Sequence, residues 1–314
     1  MASSGPVFLP EAFDGATTWL FPGQGAQAVG MGKDVWQDSP AARVVYATAD
    51  RVLGYSLSEL CFEGPEELLK ETEHTQPAIF ATSLACLAAA VERGQVSSRP
   101  AFMAGHSLGE YSALVAAGAL ELEDGLLLLQ ERARLMAEAG RSNPGTLAAI
   151  VGLDEASVQM ICDEAGVDVC NLNLPSQTVI GGTIVGVAAA LELAKQRGAQ
   201  RVLELNVSGA FHSRLMQPAV DALREAVDKF DVRSPEVPVI ANASAQPLQD
   251  AKQVREELVQ QVASAVRWHD SVTLMAGSGV STFIEFGPGR VLTGFARRLV
   301  EGANLRNVSS LQPA

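Results

Sequence analysis

The chain has 314 residues, 47% of them hydrophobic, and a formal net charge of −13. That length supports one large domain or two smaller ones around a substantial core. The acidic balance excludes nucleic acid as the main partner, and it obliges an acidic protein partner to find a local basic patch.

In chain order, Thr17-Thr18-Trp19-Leu20-Phe21 is a short β-type run that ends in Pro22-Gly23-Gln24-Gly25-Ala26-Gln27. A first strand running into a glycine-rich loop suggests an α/β fold with its site at strand ends. The loop is neither a Walker A sequence nor GxGxxG, so phosphate binding is poorly supported against an ordinary tight turn. From Pro77 to Glu92, the residues Ile79, Phe80, Leu84, Leu87 and Val91 recur at helical spacing, and Pro77 suits a first turn. An apolar run, Pro100-Ala101-Phe102-Met103-Ala104, then reads as a buried strand, and Glu110 to Ala117 reads as a helix. Gly118 stops that helix. Asp124 to Ala139 is a long helix carrying Arg132 and Arg134, broken by Ser142-Asn143-Pro144-Gly145.

The next stretch has its own rhythm. It comprises strands at Thr146–Val151, Val167–Cys170, Thr178–Gly181 and Arg201–Val207, with helices at Asp154–Glu164 and Thr183–Gln196. Asp154 is a candidate cap. The order β-α-β-β-α-β is that of the ferredoxin-like unit. It is expected as a small subdomain, 142–209, inserted into a larger one made of 1–141 and 210–314. The larger one resumes with helices at Met216–Lys229, Ala251–Ala265 and Asp270–Ala276, and a strand at Pro238–Asn242. A last strand, Thr282–Phe286, ends at Gly287-Pro288-Gly289, and a helix follows from Val291. Alternating strands and helices imply a largely parallel sheet.

The centre of this pattern is Gly105-His106-Ser107-Leu108-Gly109, a Gly-x-Ser-x-Gly sequence between a strand and a helix. That context makes a nucleophile elbow, in which small residues two before and two after the serine let backbones approach. In a chain with 28 glycines, a chance match in a loop is the plain alternative. The helix N-terminus beneath the serine favours developing negative charge, and the N–H of Leu108 is the expected oxyanion donor from elbow geometry alone. A serine hydroxyl needs a base, and histidine is the usual one at neutral pH. His106 adjoins the serine but diverges from it, His74 precedes a predicted helix, and His269 suits a surface or capping position. His212 sits where the small subdomain hands back to the large one, and a cleft there is where a site forms. This favours His212 against a core or capping role.

Taken with Phe21-Pro22-Gly23-Gln24-Gly25, Thr75-Gln76-Pro77-Ala78, Gly105 to Glu110, the helix bearing Arg132 and Met136, Gly209-Ala210-Phe211-His212-Ser213 and Glu285 to Gly289, the chain resembles the malonyl-CoA:acyl carrier protein transacylase family from about Trp19 to Val300. These are the acyltransferases of fatty acid and polyketide synthesis. The resemblance implies an α/β-hydrolase-like large subdomain with a parallel sheet and an inserted ferredoxin-like (βαββαβ) small subdomain. It implies Ser107 as nucleophile, His212 as base, Arg132 as the partner of the substrate carboxylate, and the main-chain N–H groups of Gln24 and Leu108 as the oxyanion hole. Gln261 matches a glutamine whose carbonyl orients the histidine, although Gln260 adjoins it. Phe211 and Met136 are the implied specificity residues, with Phe211 crowding out an α-methyl branch. The chain departs from the family in having Ala133 where glycine is common, and it offers no clear aspartate behind His212. A Ser-His dyad is therefore expected. Guanidinium suits a carboxylate physically, because it offers two parallel donors and stays charged when buried.

The implied substrates are malonyl-CoA and phosphopantetheinylated acyl carrier protein, with no permanently bound cofactor and no metal. The implied reaction is ping-pong transfer through a malonyl-serine, supplying fatty acid synthesis. A polyketide-type acyltransferase is the near alternative. A serine hydrolase or thioesterase is a further one, but it would lack an HGGG-type loop, an assigned acid and any task for Arg132. A module that docks carrier protein without chemistry is a third. Candidate carrier-docking residues are Arg290, Arg297 and Arg298, with Lys195 and Arg197 as a second set. The cysteines Cys61, Cys86, Cys162 and Cys170 have no CxxC spacing and read as reduced intracellular thiols. No segment suits a transmembrane helix free of charges or Gly/Pro breaks. The opening Met1-Ala2-Ser3-Ser4-Gly5-Pro6 lacks the regions of a signal peptide. A soluble monomer is expected, in a bacterial cytoplasm or in a plastid or mitochondrion after removal of a transit peptide.

Overall fold

A computed structural model describes residues 8–310, and the opening Met1 to Pro6 lies outside the described residues. The elements of the first half are β1 (Ala12–Phe21), α1 (Lys33–Asp38), α2 (Pro40–Leu53), α3 (Leu57–Glu63), α4 (Glu66–Lys70), α5 (Thr72–Glu92), β2 (Ser98–Gly105), α6 (Gly109–Ala116) and α7 (Leu122–Ser142). There follow β3 (Thr146–Val151), α8 (Glu155–Ala165), β4 (Asp168–Leu174), β5 (Gln177–Gly182), α9 (Ile184–Gln196) and β6 (Arg201–Glu204). The chain closes with α10 (Gln217–Val227), β7 (Val239–Ile240), β8 (Pro247–Leu248), α11 (Ala251–Gln260), α12 (Trp268–Gly277), β9 (Thr282–Phe286), α13 (Val291–Leu299) and β10 (Asn304–Val308).

The larger sheet has the strand order β10-β9-β1-β2-β7-β8, and every neighbouring pair is parallel except the β7–β8 hairpin. A parallel sheet must be covered on both faces. One cover is α5, buried along nearly its whole length and packed against α2 and α7. It is long and apolar enough to cross a membrane by composition, yet 89% of its most apolar stretch is buried inside the fold. Trp19 and Phe21 of β1 pack their rings on Phe286 of β9, with centroids 5.4 and 6.1 Å apart, which braces these two neighbouring strands.

The smaller sheet is antiparallel with order β4-β5-β3-β6, the ferredoxin-like arrangement. Strand alternation divides its two faces. Ala148, Ile150 and Ile180 point to α8 and α9, whereas Leu147, Ala149 and Val179 join the core of the larger layer. The N-cap expected from sequence forms, with Asp154 accepting from Ser157 N–H at 2.8 Å. The edge of β4 is fastened to the segment before α12 by Leu172 N–H to Val266 C=O and Val266 N–H to Cys170 C=O, both 2.8 Å.

Several boundaries differ from the sequence reading. Pro77 is not in a first turn: α5 begins at Thr72, so His74 lies within the helix and not before it. The added turn is polar and carries no apolar stripe, but its side chains bond inward, as in Thr75 Oγ1 donating to Leu69 C=O. The helix expected at 251–265 gives way after Gln260 to a 3₁₀ turn, Gln261–Ala263. The helix at 216–229 is prefaced by a 3₁₀ turn, Arg214–Met216, and ends at Val227. The strand at 201–207 stops at Glu204.

Candidate active site

The elbow forms because nothing larger than glycine fits on either side of the serine. A Cβ on Gly105 would lie 1.9 Å from the carbonyl carbon of Gly109, and one on Gly109 would lie 2.2 Å from the oxygen of Phe21. Strand β2 therefore turns directly into α6, and Ser107 is held at φ 53°, a left-handed backbone that costs a residue with a side chain. The strain is held by neighbours. His106 N–H donates to Phe21 C=O at the end of β1 (3.0 Å). Asn242, just past β7, accepts from Ser107 N–H through Oδ1 and donates to Gly105 C=O through Nδ2, each at 2.7 Å. Sequence reasoning saw Asn242 only as a strand end. Its position at the mouth of a parallel strand beside β2 was the available signal.

His212 also stands in the left-handed region, at φ 65°. Its Nε2 is 2.7 Å from Ser107 Oγ. Its Nδ1 faces the carbonyls of Gln261 (2.9 Å) and Ser264 (3.2 Å), two acceptors that require Nδ1 to carry the proton. Nε2 is then free to accept from the serine. Among the described residues the Nδ1 partners are these two main-chain carbonyls, and no carboxylate is hydrogen-bonded to the imidazole. Burial and the nearby Arg132 charge push its pKa down to about 3, with the two carbonyls opposing the shift. The ring is therefore neutral far below neutral pH.

Arg132 is almost fully buried on α7. Its Nη2 donates to Ser107 Oγ (3.0 Å) and to Gln261 Oε1 (2.7 Å), and its Nη1 donates to Gln76 Oε1 (2.5 Å). All three acceptors are neutral. A buried guanidinium without a carboxylate on it is costly, and here it is aimed at the serine. Arg134, by contrast, is exposed and paired with Glu131 and Glu138. Ala133, in place of the family's glycine, is fully buried without disturbing the arginine's contacts.

The loop after β1 lies over the elbow, since a Cβ on Gly23 would meet His106 C=O at 2.6 Å. Among the described residues no hydrogen bond occupies the main-chain N–H of Gln24 or of Leu108. The side chain of Gln24 accepts from Thr72 Oγ1, which in turn accepts from Gln76 Nε2, both at 2.9 Å. The motif around Gln76 thus ties the loop to the arginine, a role the sequence did not suggest. Phe211 and Met136 are both buried in the large core, with the Met136 sulfur 3.7 Å from Gln76 Nε2. His106 turns away from the serine, as expected, toward Asn173 of β4 (3.0 Å). His269 pairs with Asp270, and His74 packs on Tyr55.

The docking candidates separate. Arg290, Arg297 and Arg298 are exposed on α13 and at its start, and the preceding Gly289 approaches Ala26 of the loop bearing Gln24. Lys195 and Arg197 end α9 on the outer face of the small sheet, paired with Glu192 and Glu164.

A serine on a strained strand-to-helix turn at the C-terminal edge of a parallel sheet, bonded to a histidine, defines the α/β-hydrolase-like serine enzymes. Within that class, residues 18–312 match the family described as the acyl transferase domain, and the chain belongs to that family. It is 45% identical to the malonyl CoA-acyl carrier protein transacylase of Bacillus subtilis, covering 90% of this chain and 89% of that one. It is similar to the crystal structure of an acyl carrier protein S-malonyltransferase from Vibrio cholerae, with TM-score 0.91 and 38% identity over 94% of this chain and 97% of that one. It is also similar to a malonyl-transacylase solved in complex with a type II polyketide synthase acyl-carrier protein, with TM-score 0.90 and 39% identity over 94% and 96% of the chains.

Proposed function

We propose that this chain transfers malonyl from malonyl-CoA to the phosphopantetheine thiol of an acyl carrier protein through a malonyl ester on Ser107. The observation that carries the reading is the convergence on one atom: His212 Nε2 at 2.7 Å and Arg132 Nη2 at 3.0 Å from Ser107 Oγ. A base and a buried cation with no carboxylate hydrogen-bonded to it, at the same nucleophile, suit an acyl group that ends in a carboxylate. Ser107 Oγ attacks the thioester carbonyl as its proton passes to His212 Nε2. The oxyanion is received by the N–H groups of Gln24 and Leu108, and the coenzyme A sulfur leaves with the proton from His212. In the second half the carrier thiol attacks the ester, its proton goes to His212, and that proton returns to Ser107 as the malonyl thioester departs. The Gln261 carbonyl keeps Nδ1 protonated throughout. Phe211 and Met136 set the width of the acyl pocket, and no bound cofactor or metal enters these steps.

The division into 1–141 with 210–314 and 142–209 belongs to the same reading. The four strands of the small sheet fall within the inserted segment, and His212 follows it directly. Two of the relatives named above come from bacteria, Bacillus subtilis and Vibrio cholerae, and a soluble intracellular setting belongs to the same reading. Intact mass after malonyl-CoA, then after holo carrier protein, tests the whole scheme: the malonyl mass appears on the enzyme and then leaves with the carrier. Release of free malonate would indicate a hydrolase, and no adduct a docking module. The carrier is received by Arg290, Arg297 and Arg298 at the cleft mouth, so Arg297→Glu with Arg298→Glu slows the second step more than the first and flattens its salt dependence. Equal losses in both steps would remove that assignment. The near alternative, a polyketide carrier, is decided by offering both kinds of carrier in the second step.

The depressed His212 pKa has a visible consequence. An ordinary histidine base gives a rate that falls below pH 6.5, whereas here kcat/KM for acylation stays level through that pH and falls only toward pH 3. The same depression makes stability depend on pH. Between 6.5 and about 3 the unfolded chain protonates this histidine and the folded chain does not, so its contribution is lost as pH falls across that window. An initial-rate profile with an inflection near 6.5 would contradict the assignment.

A further inference from the structure

Glu110 lies in the first turn of α6, three residues after Ser107, and is fully buried. The transfer chemistry above makes no use of it. Its Oε2 accepts from Gln261 Nε2 at 2.7 Å, while its Oε1 is buried with no hydrogen-bond partner among the described residues. The group beside it is a second carboxyl, Glu257 on α11, one helical turn before Gln261 and only 7% exposed. Glu257 Oε1 accepts from Ala243 N–H at 2.9 Å.

Two buried carboxyls in contact cannot both ionise. Burial and the charge of Glu257 hold the Glu110 carboxyl well above the usual range, opposed by Gln261, Asn242 and the Arg132 charge. Burial raises Glu257 as well, but the N–H groups of Ala243 and Asn242 and the contact with Glu110 favour its anion. The shared proton therefore sits on Glu110. Placed on Oε1, it gives the orphaned oxygen a hydrogen to donate and leaves Oε2 to accept from Gln261.

Gln261 is the junction of the site. Its Nε2 donates to Ser107 C=O (2.8 Å) as well as to Glu110, its Oε1 accepts from Arg132 Nη2, and its main-chain carbonyl accepts from His212 Nδ1. Turning the amide over would set oxygen against the two oxygens of Ser107 and Glu110, and nitrogen against guanidinium. We propose that Glu110, paired with Glu257, is a positioning residue for the transfer: it fixes the side-chain amide of Gln261 so that its oxygen holds Arg132 in line with the acyl carboxylate. The inference rests on the acyl-transfer reading above.

The test compares Glu110→Ala and Glu110→Gln in single-turnover acylation by malonyl-CoA and acetyl-CoA. Alanine removes the acceptor, so malonyl acylation falls about tenfold or more, and the malonyl-to-acetyl ratio falls with it because only malonyl needs Arg132. Glutamine offers N–H to Glu257 and oxygen to Gln261, the pattern of the neutral acid, and restores most of what alanine loses. A protonated carboxyl also has its own infrared carbonyl band, which Glu110→Gln removes from the wild-type spectrum at neutral pH. That measurement tests the protonated state of Glu110 even where the alanine variant does not fold, and the malonyl-to-acetyl ratio of Glu110→Gln then tests the positioning. Equal malonyl and acetyl losses in Glu110→Ala, a Glu110→Gln rate as low as alanine's, or an unchanged infrared band would each overturn the proposal. Wild type that takes up no malonyl at all would instead overturn the acyl-transfer reading itself.

Discussion

Ser107→Ala is expected to take up no malonyl mass from malonyl-CoA, with turnover to carrier protein reduced by roughly 10⁴–10⁶-fold, the scale seen when a hydrolase-type nucleophile is removed. The size follows from the lack of a substitute. Ser112 is also on α6, but it is fully buried and no base reaches it. Cys61, Cys86, Cys162 and Cys170 are buried, and burial pushes each thiol up, to about 12 for the first three, so none offers a thiolate at neutral pH. The oxyanion donors survive the substitution and leave a small residual rate by direct attack of the carrier thiol. Fold should be unaffected, because Ser107 N–H still bonds to Asn242 and the alanine side chain is smaller. Mass spectrometry of the intact variant checks this, and a surviving adduct would place the nucleophile elsewhere.

The parts of this fold that are regular in period were legible in the sequence. Alternation in 146–204 gave the four strands of the small sheet, and the apolar run before Ser107 gave β2, because burial on one face or two leaves a pattern of apolar residues. What escaped was structure held by polar bonds or long-range pairing. The first turn of α5 is polar and is stabilised by contacts such as Thr72 with Gln24. Between Lys33 and Lys70, α1, α3 and α4 are short, and β8 and β10 are edge strands of few residues. The exception is α2, a 14-residue helix whose buried stripe of Ala42, Val45, Tyr46, Ala49 and Leu53 is regular and still went unread. The site divides in the same way. The glycines at 105 and 109 advertise the elbow because close backbone approach excludes every other residue. Sequence offers no local signal to separate Gln261 from Gln260, and in three dimensions it is the Gln261 carbonyl, on the 3₁₀ turn, that faces His212 Nδ1. Asn242, Gln76 and Glu110 act by bonding to residues 56 to 151 positions away, a separation that no local pattern records.

Arg132→Met is expected to separate substrate choice from stability. A linear thioether preserves the packing of the arginine stem but removes the charge. Malonyl acylation then loses the charge-assisted pair, and a buried carboxylate is left without a partner, a loss of roughly 10²–10³-fold. Acetyl carries no carboxylate, so its acylation falls only by whatever the Nη2 contact to Ser107 Oγ contributes, and the malonyl-to-acetyl ratio drops by more than about tenfold. Stability should not fall in proportion. In the free enzyme the guanidinium is held by Gln76, Gln261 and Ser107, all neutral, and burial disfavours its charge. Removing a buried charge that lacks an ion partner relieves desolvation, which offsets the three hydrogen bonds lost, so the variant should melt at or above the wild-type temperature. Competition between malonyl-CoA and acetyl-CoA in single-turnover acylation, with thermal melts of the same samples, measures both effects. Equal losses for the two acyl groups, or a clear fall in melting temperature with the ratio unchanged, would make Arg132 a structural brace and remove the physical basis for malonyl selection.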